Sequence, residues 1–91
     1  MVTGTEPERL PPPPFWRTRY FAFDVFPRRP YLDPLEIRRI VAQPEHRSLQ
    51  RDGRRIRLYG FSDSLGCHLR VVLLSDGQTV RNAFPDEGFA P

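Results

Sequence analysis

The side chains able to do chemistry in this chain are few: two histidines, His46 and His68, one cysteine, Cys67, three tyrosines, and 14 basic residues that are all arginine. Arginine stays charged at any working pH and offers a planar fork of donors that matches phosphate or carboxylate. Arg47, Arg51, Arg54, Arg55 and Arg57 follow His46 closely against a single acid, Asp52, so the net charge of +3 is concentrated in one stripe. Such a stripe suits an anionic partner, either RNA or an acidic protein. The absence of lysine also fits the codon usage of a GC-rich genome, where arginine is simply the default cation.

Most other chemistries fail on inspection. There is no glycine-rich phosphate loop ahead of a helix, no His-Glu-x-x-His, no pair of cysteines and no serine in an elbow setting. Two histidines without a clear carboxylate partner are too few for a metal site, and no cofactor motif is present. Cys67 and His68 are adjacent, and neighbours on a strand point to opposite faces, so adjacency makes no dyad of them. Cys67 reads as a small core residue. No apolar run approaches the roughly 18 residues needed to span a bilayer, and Met1–Glu6 shows no secretory signal. The expectation is a cytoplasmic protein with no membrane segment.

The elements that must position these groups follow from spacing. With 91 residues the chain is one domain. Residues 1–14 end in four prolines and read as a disordered or polyproline-type arm, leaving 15–91 as the folded unit. Phe21, Phe23 and Val25 alternate with Tyr20, Ala22 and Asp24, which predicts a strand over Tyr20–Phe26. Asp33 as N-cap, Pro34 at the first helical position and Glu36 as capping-box partner predict a helix over 33–43, with Ile37, Ile40 and Val41 inward. From His46 onward the pattern is hairpins, with Asp-Gly turns at Asp52-Gly53 and Asp76-Gly77 and a looser turn at Gly66. The predicted fold is α+β, with one main helix on one face of a four- to five-stranded antiparallel meander.

The second Asp-Gly turn sets a register if it is a two-residue loop. Leu73 then faces Val80, Val72 faces Arg81 and Val71 faces Asn82, so Leu69, Val71, Leu73, Val80, Asn82 and Phe84 lie on the helix-covered face. His68, Arg70, Val72, Thr79 and Arg81 lie on the other. Matching the apolar face of the preceding strand puts Arg55, Arg57 and Tyr59 beside Arg70 and Arg81 on one open face. The alternative reading of that face is plain solvation, since an open sheet face must be polar. Arginines crowded on adjacent strands nevertheless repel one another unless anions intervene.

The run Gln50-Arg51-Asp52-Gly53-Arg54, then Arg57-Leu58-Tyr59-Gly60, Leu69-Arg70-Val71-Val72 and Asp76 to Phe84, resembles small bacterial proteins of the broad RelE-like group of ribonuclease toxins, related by fold to barnase, EndoU and the tRNA-cutting colicins. The resemblance covers roughly residues 20–89. It departs from the group in having one helix where two are common, and in lacking lysine. It implies metal-independent RNA cleavage and a small acidic antitoxin as partner. Carried onto this chain, the chemistry implies a phosphate clamp from Arg57, Arg70 and Arg81, with Arg54 and Arg55 as further RNA contacts. It also implies His46 as proton acceptor from a 2′-hydroxyl, and Tyr59 or His68 as donor to the leaving oxygen. The competing function is a non-catalytic module binding RNA or an acidic protein on the same scaffold. A homodimer is a further expected partner, with Tyr20–Phe26 and the C-terminal tail as sheet edges. The acidic tail 85–91 is expected to fold back over the arginines.

Overall fold

Asp33 caps the one helix that the spacing predicts. Its Oδ1 accepts the Leu35 N–H at 2.9 Å, and Pro34 stands where a missing N–H costs nothing. In the computed structural model, which describes residues 9–90, this helix (α1) spans Pro34–Ala42 and ends where Gln43 N–H donates to Arg39 O. Ile37 and Ile40 are fully buried, Val41 packs at the margin of the same core, and Arg38 and Arg39 face solvent. Glu36 does not close the capping box. Its Oε1 instead accepts the Ser62 hydroxyl at 2.6 Å, tying the helix to the sheet.

The strands are β1 (Arg9–Leu10), β2 (Arg17–Thr18), β3 (His46–Leu49), β4 (Ile56–Ser62), β5 (Cys67–Leu73) and β6 (Val80–Pro85). They form one mixed sheet in the order β1-β2-β6-β5-β4-β3. β3 to β6 make the expected antiparallel meander. The two short N-terminal strands enlarge it to six, and β2 runs parallel to β6 through Arg17 and Val80. Strands of two residues carry no alternation for a sequence to display, which is why they were not foreseen. Arg9 and Leu10 belong to the stretch expected to be an arm, and its earlier part lies outside the described residues.

The aromatic segment is not a strand. Phe21–Val25 forms a π-helical turn continued by a short 3₁₀ turn at Phe26–Arg28, and the Thr18 hydroxyl accepts the Phe21 N–H at 3.0 Å. Phe21 and Val25 are buried while Phe23 is 58% exposed, a period of four rather than two. Packing decided between two patterns the sequence fits equally. Phe21 meets Phe15 and Phe26 with ring centroids 6.0 and 5.8 Å apart, extending the core beneath the helix. β2 takes the place beside β6 that a seven-residue strand would have filled, so the exposed sheet edges are β1 and β3.

Both Asp-Gly hairpins close on the same plan. Gln50 N–H donates to Arg55 O and Gly53 N–H to Gln50 O; Leu74 N–H donates to Thr79 O and Gly77 N–H to Leu74 O. Gly53 and Gly77 have φ of +73° and +77°, while no described non-glycine residue has positive φ. A two-residue type I′ turn needs positive φ at both central residues, so each loop has four residues with the glycine alone in the left-handed region.

Leu73 pairs with Val80 as predicted, but Val72 then pairs with Asn82, Val71 with Ala83 and Arg70 with Phe84. Arg81 is the extra residue of a β-bulge. The bulge brings Ala83 to the core face at 0% exposure and turns Asn82 and Phe84 away from it, the reverse of the simple register. The exchange follows from the cost of burying a carboxamide where an alanine fits. Asn82 Oδ1 instead accepts Arg29 Nη1 at 2.9 Å, and the same nitrogen donates to Ala83 O at 2.7 Å. α1 packs closely across β4, where a Cβ at Gly60 would lie 2.5 Å from Ile40 Cγ1.

Asp76 pins the second hairpin to the first strand. Its carboxylate accepts Gln78 N–H, Thr79 N–H and the Thr79 hydroxyl, and it pairs with Arg9 at 3.2 Å. Burial raises its pKa, but these hydrogen bonds and Arg9 together hold it below the usual carboxylate range. A depressed folded-state pKa contributes stability that is present above the unfolded value and lost as pH falls through the folded one. Asp76→Asn is therefore expected to lower the melting temperature at neutral pH by about 4–8 °C, the effect of losing about 1 kcal/mol in a chain this size. The gap to the parent should close on acidification below about pH 4. A gap independent of pH would rule out the carboxylate charge as its source.

Candidate functional site

A single row of side chains crosses four strands on the sheet face opposite α1. His46 stands opposite Tyr59, Tyr59 opposite Arg70, and Arg70 opposite Phe84. The face is settled by alternation, because Gly60 looks into Ile40 and Tyr59 must look the other way. One step further along, Phe61 stands opposite His68. Four of the residues that the sequence puts forward, His46, Tyr59, His68 and Arg70, thus meet at one end of the open face.

The chain beyond β6 folds back over them. Asp86 N–H donates to His68 O at 2.8 Å, continuing the ladder, and Phe89 N–H returns to Asp86 O at 3.2 Å. The Phe89 ring lies flat on Tyr59, with centroids 4.0 Å apart and planes at 11°. His46 and His68 pack against the same Phe89 ring at 5.5 and 4.9 Å. Beneath it Tyr59 is only 5% exposed, although it stands on the open face. Arg70 donates through both Nε (3.1 Å) and Nη2 (2.5 Å) to one oxygen of Asp86, and its guanidinium also lies over Tyr59 and Phe84.

Glu45 completes the cluster and was not singled out in the sequence. Its Oε2 accepts Phe61 N–H at 2.8 Å and its Oε1 accepts from His68 Nε2 at 3.1 Å. The backbone N–H of Phe61 and the His68 ring hold its carboxyl below the ordinary range, so it stays an acceptor across a wide pH span. A carboxylate on one ring nitrogen orients the imidazole and leaves Nδ1 to face solvent or substrate. The signal was present in Pro44-Glu45-His46, since pairing β3 with β4 from the first Asp-Gly turn sets Glu45 beside Tyr59 and Phe61.

The remaining arginines do not join this group. Arg57 is on the open face opposite Val72, but its Nη2 donates to Leu49 O at 3.2 Å and its buried Nε has no partner. Arg81, displaced by the bulge, lies over the Tyr20 ring at 4.9 Å. Arg54 is exposed and Arg55 half-buried in the β3–β4 loop, away from the histidines. The shared face of Arg57, Arg70 and Arg81 read from the simple register is therefore corrected: Asn82 stands opposite Val72 where Arg81 was expected. Thr79, placed on the open face by the same register, is fully buried against Asp76.

Among the described residues no group of three His, Cys, Asp or Glu side chains could hold a metal ion, and no helix is long and apolar enough to cross a membrane. Compared with known proteins, the chain matches no family model, no curated protein and no solved structure at a significant level.

Proposed function

We propose that this chain is a metal-independent endoribonuclease, the toxin of a bacterial toxin–antitoxin pair, working in the cytoplasm. The observation that carries the reading is the pair of imidazoles, His46 and His68, on either side of one aromatic shelf with Arg70 beside it. In the reaction, the 2′-oxygen of a ribose attacks the adjacent phosphorus, forming an O2′–P bond and breaking the P–O5′ bond. His46 takes the 2′-proton, and His68, oriented by Glu45, returns a proton to the departing 5′-oxygen. Arg70 neutralises the charge that grows on the phosphorane. Tyr59, buried and flat, serves as a stacking surface rather than a proton donor. The toxin role and its small acidic antitoxin rest on the sequence resemblance, and Arg70 with the β3–β4 loop arginines is the surface such a partner would neutralise.

The second reading, a module that binds RNA or an acidic protein without chemistry, is favoured by one contact: Asp86 already neutralises the arginine nearest the histidines. Cleavage decides between them. Incubation of the full chain with single-stranded RNA in EDTA should give fragments ending in 2′,3′-cyclic phosphate and 5′-hydroxyl, and a 2′-deoxy substitution at the cut should abolish them. Binding that weakens linearly with salt on logarithmic axes, with no product, would leave the module. Expression in a bacterial host should arrest growth. Normal growth at verified soluble expression would remove the toxin role.

A further inference from the structure

The stretch from Asp86 to Phe89 has the chemical outline of a nucleotide. A flat ring lies on Tyr59 at 4.0 Å and 11°, where a nucleobase would stack, and an anion sits in the fork of Arg70, where a phosphate would. The two groups are joined by a compact turn closed from Phe89 N–H to Asp86 O. Aromatic side chains paired with each other favour offset or edge-on geometry, as His68 and Phe61 do here at 84°. Phe89 on Tyr59 takes the stacked alternative, a geometry that bases also adopt on aromatic platforms.

The tail fills this place imperfectly. Both Arg70 donors converge on the same carboxylate oxygen, so the fork is not matched by two acceptors. A phosphate presents more than two oxygens and matches the fork directly. Phe89 itself is only partly buried and lies outside the hydrophobic core, so lifting it exposes Tyr59 without opening the fold.

We propose that Tyr59 and Arg70 form a subsite for one ribonucleotide unit, base on Tyr59 and phosphate on Arg70, and that Asp86 and Phe89 occupy it as a displaceable internal stand-in. This rests on the RNA-directed reading of the same site and adds its regulation. RNA must displace the tail before the 2′-hydroxyl reaches His46, so the free chain is held in a low-activity state. The device follows population arithmetic: apparent affinity is reduced by the fraction of molecules whose subsite is open.

The test titrates nucleoside 3′-monophosphates into the isotope-labelled full chain. Phe89→Ala and Asp86→Asn should each bind about tenfold more tightly than the parent, as expected for removing one stacked ring or one competing anion. Tyr59→Leu should lose binding. In the parent, saturation should abolish the proton contacts between Phe89 and Tyr59, a readout that needs no variant to fold. Nucleotide that binds in a Tyr59-dependent way while affinity stays unchanged in both tail variants, or while the Phe89–Tyr59 contacts persist, overturns the stand-in and leaves the RNA reading intact. Absence of nucleotide binding in the parent and in both tail variants overturns both.

Discussion

Replacing His46 or His68 with alanine is expected to lower RNA cleavage by about 10²–10⁴-fold each, with the double variant little worse than either single one. The two rings act on one proton ledger, one removing and one supplying, so loss of either strands the reaction at the same barrier. RNA binding should persist in both, because the stacking surface and Arg70 remain. Glu45→Gln should behave differently. It keeps a hydrogen-bond acceptor for His68 Nε2 but removes the charge, so it should lower the rate less than His68→Ala does. Full activity in His46→Ala and His68→Ala together would sink the assignment of both roles.

Phe21→Ala is expected to cost about 3–5 kcal/mol, a large part of the roughly 5–15 kcal/mol that holds a small domain folded. Phe21 is 1% exposed and bridges Phe15 to Phe26, so the truncation leaves a cavity that two neighbouring rings cannot both close. Phe23→Ala, two residues on, should change stability by no more than about 0.5 kcal/mol, since that ring is 58% exposed. Urea midpoints at constant slope measure both. On a strand the two residues would share a face and cost about alike, so equal losses would refute the helical segment.

The difference between those two residues shows where sequence reading stops. α1 was legible because its signals are local: an N-cap, a proline at the first position, and three apolar residues at helical spacing. Phe21 to Phe26 satisfied alternation and helical spacing together, and the choice was made by packing: against the nearby Phe15 ring, and by β2 taking the edge of β6, which is far away in sequence. Leu73 opposite Val80 was legible from the Asp76-Gly77 turn. The bulge at Arg81 showed only as Asn82 falling on the apolar face, a buried amide or a break in the strand's regularity, because one extra residue leaves composition and turn signals untouched while reversing the face of everything beyond it. Of the site, His46, Tyr59, His68 and Arg70 were legible as residue types on hairpin strands, and the return of the acidic tail towards the arginines was foreseen. Arg57 and Arg81 were not separable from Arg70 by pattern, since their orientation depends on that bulge and on the Leu49 carbonyl. Glu45 lies just outside β3 and declares itself only through the β3–β4 register.

The parallel contact between β2 and β6 also orders the assembly of the domain. β3, β4, β5 and β6 join through short hairpin loops, so each pairing closes little chain and can form early. Arg17 and Val80 are 63 residues apart, so their pairing closes a much longer loop and is expected to form after the hairpins have offered a finished edge. Trp16 O then accepts the Val80 N–H, and Arg9 reaches Asp76 across the same seam. The N-terminal strands are therefore expected to act as a late clasp on a sheet whose hairpins pair first. During synthesis Arg17 is made 63 residues before Val80, so the clasp must wait unpaired until the strand it closes against has been made.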